Sequence, residues 1–223
     1  MRVIKYSKSE EILNIATHII GFILSIIFFT PLLVSSYKKG DMVVFMAWLI
    51  YFIALALMFL CSSLYHSMRS PLPRTIFRAI DHGVIYLTIA GSYTPIILIG
   101  LRSNFAIIIF VIIWILALAG IAMNIIAFAM AKENNIKKAS MIIYMLMGWM
   151  SVLLLYQIYV HIGMSYILIL VAGGLLYTIG AVFYSIKKIP YNHAIWHLFI
   201  LFAAFTMFYG NVKFLGWLKD KNK

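Results

Sequence analysis

Charge is scarce in this sequence, and acid is scarcer: only 11% of the 223 residues are Asp, Glu, Lys or Arg, and just six of them are acidic. Soluble domains carry about 25% charged residues, so an ordinary water-soluble fold is excluded. A single cysteine, Cys61, excludes an internal disulfide and reads as a small buried side chain within a helix. The net charge of +12 does not mark a nucleic-acid binder. That function needs a basic face on a folded surface, and here the basic residues stand in short groups between apolar runs.

What the chain has in abundance is apolar length. It is 65% hydrophobic, with a mean hydropathy of +1.02. Most uncharged stretches suit one membrane helix each, but 139–186 is too long for one and needs a turn near His161–Ser165. The expected fold is an all-α integral membrane protein: one domain over residues 1–223, a bundle of seven transmembrane helices. The spans fall at about 14–36, 42–66, 79–99, 105–129, 139–159, 165–186 and 192–214. The first run reads as a retained span rather than a signal peptide, because it can cross the bilayer and further spans follow. Ser7 and Glu10 have the spacing of a capping box at its entry.

Lys and Arg set the expected orientation. Arg2, Lys5, Lys8, Arg69, Arg74, Arg78, Lys132, Lys137, Lys138, Lys187 and Lys188 lie on the N-terminal side. Lys38, Lys39, Arg102, Lys213, Lys219, Lys221 and Lys223 lie on the other. The positive-inside rule then puts the N-terminus in the cytoplasm and the C-terminus outside, with the basic tail as the dissenting feature.

Polar residues interrupt the apolar runs at Cys61–Pro95 and again at His193–His197. Ser62 and His66 are four apart, as are His193 and His197, so each pair shares a helix face. Under the expected topology five histidines, His18, His66, His82, His193 and His197, gather at the inner leaflet, and His161 lies outside. Three imidazoles from His66, His193 and His197 would leave a fourth tetrahedral position for water, the arrangement of catalytic zinc. Ser62 would hydrogen-bond that water or a developing oxyanion, and Asp81 would direct its proton. The plainer alternatives are packing or interfacial histidines, and an Asp81 paired with Arg78 or serving as a helix N-terminal acid.

Other polar positions admit two readings. Asn14, Thr17 and His18 are either interfacial decoration or an inner polar face turned to the site. His82 points some 100 degrees away from Asp81 around a helix and reads as a supporting or interfacial residue rather than a ligand. Gly91–Pro95 would permit close packing and a kink, Gly120 a close helix contact, and Tyr86 and Tyr93 read as core or as the lining of a lipid-accessible cavity.

Three segments taken in order carry a family resemblance: SSLYHS at Ser62–Ser67, DHGVIYLTIAGSYTP at Asp81–Pro95 and HAIWHLF at His193–Phe199. With ILNIATHIIG in span 1 and the span count, the chain resembles the haemolysin III family over essentially its whole length. That family is the bacterial branch of the seven-helix superfamily of progestin and adiponectin receptors, more distantly similar to alkaline ceramidases. The resemblance implies Zn2+ on His66, His193 and His197, with Asp81 as partner of the water and Ser62 beside it. It adds Glu11, Asn14 and His18 as supporting polar residues. The implied place is the bacterial cytoplasmic (inner) membrane, crossed several times.

The leading functional expectation is a zinc-dependent hydrolase of a lipid amide or related carbonyl bond at an inner-leaflet site, with membrane lipids as partners and no soluble protein partner indicated. The alternatives are a zinc-stabilised receptor or sensor of membrane lipid state, and a membrane-permeabilising, haemolytic protein.

Overall fold

The computed structural model describes residues 6–130 and 132–216, without the side chains of 133–135 and 137. Arg2, Lys5, Lys219, Lys221 and Lys223 of the charge count therefore lie outside the described residues, as does the side chain of Lys137. Among the described residues the fold is helical with no strand, and seven helical spans are long and apolar enough to cross a membrane.

Helix α1 covers Lys8–Lys38, α2 Met42–Ser67, α3 Pro71–Pro95 and α4 Asn104–Ala129. The fifth span is composite: α5 at Glu133–Trp149, a 3-10 segment at Met150–Leu154, then α6 at Leu155–His161. Helices α7 (Met164–Ser185) and α8 (Asn192–Leu215) complete the bundle.

Helix ends follow local chemistry more closely than hydropathy. Ser7 caps α1, its hydroxyl accepting from Glu10 N–H at 3.2 Å, and Asp41 caps α2 through Val44 N–H at 3.1 Å. Proline at the start of α3 sets the first turn. That span begins at Pro71, eight residues before the position hydropathy suggests, and so carries Arg74 and Arg78 into the bundle. Past Pro95 the chain does not break; it continues as a π-helical turn, Ile96–Leu101, ending where Arg102 adopts a left-handed φ of 49°. The missing proline N–H favours this local rewinding. Between α6 and α7 the break falls at Ile162-Gly163, with Gly163 at φ 115°.

The 3-10 segment has its own cause. Tyr93 Oη donates toward Met147 O at 2.9 Å and Gly148 O at 2.7 Å and accepts from Ser151 N–H at 2.8 Å. A phenol from α3 thus takes up backbone groups freed where the α-helical ladder changes pitch.

Neighbours in sequence are neighbours in space, and the contact of α1 with α8 closes the bundle. Helix α3 is its most buried span, touching α2, α4, α5 and α8. Small residues permit the close approaches: a Cβ on Gly91 would sit 2.7 Å from Ala54 Cβ, and one on Gly120 would sit 2.4 Å from Tyr86. Large apolar side chains such as Ile115, Leu146, Leu168 and Phe202 face outward, the pattern of a surface solvated by lipid. Buried hydroxyls of Ser25, Ser36, Ser63 and Thr88 return to carbonyls one turn back, so they add no unsatisfied donor.

Candidate metal site

Closing the bundle through α1 and α8 brings three helix ends to one place. His66 is the next-to-last residue of α2, His193 and His197 occupy the first two turns of α8, and Glu11 and Asn14 lie in the first two turns of α1. The start of α8 is held by Tyr191, at a left-handed φ of 56°. Its hydroxyl meets Ser9 Oγ at 2.9 Å, and Asn192 Nδ2 donates to Tyr184 O at 2.9 Å.

His66, His193 and His197 are all buried, and each offers a ring nitrogen within 4.8 Å of the others. His66 Nε2 and His193 Nε2 are 3.1 Å apart. Acceptors on the far side of two rings decide which nitrogen faces the centre. Glu11 Oε2 lies 2.6 Å from His66 Nδ1, and Asn14 O lies 3.3 Å from His197 Nδ1. With each Nδ1 carrying the donated hydrogen, Nε2 of both rings keeps its lone pair toward the cluster. Arg74 in turn binds the other oxygen of Glu11, giving a chain from guanidinium to carboxylate to imidazole.

This donor set fits a metal ion. His193 Nδ1 is buried without a hydrogen-bond partner, and convergent ring nitrogens in a dry site are stabilised by a shared cation. Three imidazole donors suit zinc, as they suit copper, iron or nickel.

The other predicted residues sort into two groups. Asn14 and Glu11 touch the cluster from α1, and Asn14 Nδ2 lies 3.3 Å from His66 Nδ1. His18 stacks face to face on His197, ring centroids 3.8 Å apart, and is not among the three histidines whose ring nitrogens converge. Asp81 and Ser62 form the adjacent wall. Ser62 Oγ neighbours the Asp81 carboxylate, which is itself an electrostatic neighbour of His66, yet the hydroxyl has no hydrogen bond of normal geometry. Asp81 is not among the three residues whose ligand atoms converge. Its oxygen is 3.6 Å from His82 Nδ1, and Arg78 is not its ion-pair partner.

His82 is not one of the three converging histidines. Its Nδ1 bonds Arg78 O at 2.8 Å and its carbonyl accepts from Tyr144 Oη at 2.7 Å, so it fixes α3 against α5. Sequence reasoning missed two residues. Tyr6 stacks on His193 with centroids 4.8 Å apart and lies 5.6 Å from the His66 ring. Arg74 enters the sequence reading only as a topological charge. Neither carries a spacing signal, because each meets the site across the bundle.

Seven membrane-length helices around a buried three-histidine centre define a multi-pass membrane protein with metal-binding geometry. The sequence pattern of the family described as Haemolysin-III related matches residues 6–208, and the chain belongs to that family. Hemolysin-3 of Bacillus cereus is 39% identical over 200 residues, 90% of this chain and 89% of that protein. Hemolysin-3 homolog of Bacillus subtilis (strain 168) is 34% identical over 204 residues, 92% and 93% of the two chains. Monocyte to macrophage differentiation factor of Homo sapiens is 31% identical over 175 residues, 76% of this chain and 70% of that protein, consistent with the wider receptor superfamily. The bacterial relatives and the seven apolar helices point to the cytoplasmic membrane.

Proposed function

We propose that this protein is a zinc-dependent membrane hydrolase acting on an amide or related carbonyl bond of a lipid. The observation that carries the reading is the convergence of three buried imidazoles, two of them oriented by acceptors behind the ring. His66, His193 and His197 would hold the ion. Bound there, zinc supplies a Lewis acid and lowers the pKa of water toward neutrality.

The remaining chemistry belongs to the wall beside it. Asp81 would take a proton from attacking water and pass it to the departing amine, a role supported by its electrostatic proximity to His66. Ser62 brings an unused hydroxyl to the same place, suited to a developing oxyanion. Water adds across the acyl–nitrogen bond, releasing a carboxylic acid and an amine. The site lies at one end of the bundle, so a head group would enter at the interface while acyl chains lie between spans. On the positive-inside expectation that end would face the cytoplasm.

The test is product formation from a panel of N-acyl lipids by purified, zinc-loaded protein. Release of fatty acid should vanish in His193→Ala. In Asp81→Asn it should fall by about 100-fold or more with zinc retained, the size expected for a lost general base. Unchanged turnover in His193→Ala rejects the reading.

A sensor is the second reading, favoured by Tyr6 stacked across His193: a lipid that displaces this cover would be bound without being cleaved. The name of the Bacillus cereus relative, Hemolysin-3, keeps a permeabilising role in view. That role predicts liposome leakage that survives His66→Ala.

A further inference from the structure

Arg78 lies two turns into α3 and is only 5% exposed. Its guanidinium rests over the Phe128 ring, Cζ 5.6 Å from the centroid. Nε is buried without a partner, and among the described residues the side chain makes no hydrogen bond or ion pair. Arg74, one turn earlier, shows the usual treatment of such a group: it donates to Met68 O at 3.0 Å, binds Glu11 and lies over Tyr65. Asp81 is near enough to Arg78 to offset part of its charge, but it turns its oxygen to His82 and leaves the donors of Arg78 unused.

Three phenols have this guanidinium as a common electrostatic neighbour: Tyr6, Tyr65 and Tyr184. None of their hydroxyls bonds another described residue. Their rings also border the histidines. Tyr6 and Tyr184 lie 4.8 and 5.5 Å from His193, and Tyr65 lies 4.5 Å from His66. Arginine stays charged at any physiological pH and presents five N–H donors in a planar fork. A buried arginine whose Nε is orphaned and whose fork binds no described residue can take an acceptor.

We propose that Arg78, with the hydroxyls of Tyr6, Tyr65 and Tyr184, forms an anion subsite beside the histidine cluster that takes the phosphate of a lipid head group. The choice of a lipid rests on the function proposed above; the subsite itself rests on the unused donors. A phosphate monoester offers three terminal oxygens, enough for the guanidinium fork and for phenols approaching from other sides. The position two turns into a membrane helix sets the subsite at head-group depth.

The experiment reads binding, not turnover. Protein freed of native lipid in uncharged detergent is titrated with dodecanoyl lysophosphatidate and with dodecanoyl glycerol, which lacks the phosphate, and complexes are counted by native mass spectrometry. Wild type should prefer the phosphate lipid by tenfold or more. Arg78→Met should bind the two alike, and Arg78→Lys should keep part of the preference. Inorganic phosphate should compete only at far higher concentration; competition at equal concentration overturns the lipid assignment. Equal binding by wild type, or a preference that survives in Arg78→Met, overturns the subsite.

Ligand-free Arg78→Met should melt at or above wild type, because removing an unpaired buried charge relieves the fold. A lower melting temperature with loss of both lipids marks a structural arginine and overturns the proposal. His193→Ala should keep the preference, since loss there would place the anion on the histidines. A failed hydrolase assay leaves these binding measurements, and with them the anion subsite, unaffected.

Discussion

Glu11 Oε2 lies 2.6 Å from His66 Nδ1, joining residues 55 positions apart. The carboxylate fixes the imidazole tautomer and, anchored by Arg74, holds the ring so that Nε2 meets His193 Nε2. A carboxylate behind a ligand histidine also raises the basicity of the ligating nitrogen.

Replacing that carboxylate by an amide keeps the shape and loses the charge. Glu11→Gln should weaken zinc binding by about 10–100-fold, measured by competition with a chromogenic chelator. An unchanged affinity would show that Glu11 does not orient His66.

Metal removal should cost stability, because the ligands come from two helices that the ion would cross-link. At zinc concentrations about 100 times Kd the linkage amounts to about 2.7 kcal/mol. Chelation should lower the melting temperature of wild type and leave His193→Ala and His197→Ala unmoved. A wild type indifferent to chelator and to added zinc contradicts ligation by these residues.

Close packing at Gly120 gives a test independent of the site. A side chain there meets Tyr86 at 2.4 Å, so Gly120→Val should destabilise by about 1–3 kcal/mol. At Gly83 an added Cβ would meet nothing within 4 Å, so alanine should be accepted there without loss. Melting of both variants in one detergent decides the matter, and equal melting would refute the contact.

Tyr93 makes three hydrogen bonds at the α5 to 3-10 junction. Tyr93→Phe leaves buried backbone groups without partners and should cost about 1–3 kcal/mol, with zinc content unchanged. Loss of zinc in this variant would mean that the fifth span positions the site, which the geometry does not support.

Much of the fold was legible because lipid imposes a simple rule: each crossing must be a long apolar helix with its backbone satisfied internally. The seven spans and the turn near Gly163 follow from it. Their ends do not. Proline and capping residues set the start of α3, and the rewinding past Pro95 depends on how a proline is absorbed within a packed bundle. His66, His193 and His197 were legible as a group through four-residue spacing and a shared level in the membrane. Asp81 is an electrostatic neighbour of His66 and of Ser62, whereas the His82 ring meets Arg78 O and Phe128 of α4.

By itself, then, the sequence determined a helical membrane protein and the residue types able to hold a metal, because hydropathy and helical spacing are properties of local chain. Which helices touch, and at what rotation, is written in no single segment. Only the tertiary structure decided that Glu11 would orient His66, that His18 would stack on His197, that Tyr6 would cover His193, and that Arg74 would be paired while Arg78 one turn on would not. Each of these depends on α1, α2, α3 and α8 meeting at one end of the bundle, where packing across the closed ring, not order along the chain, sets the partners.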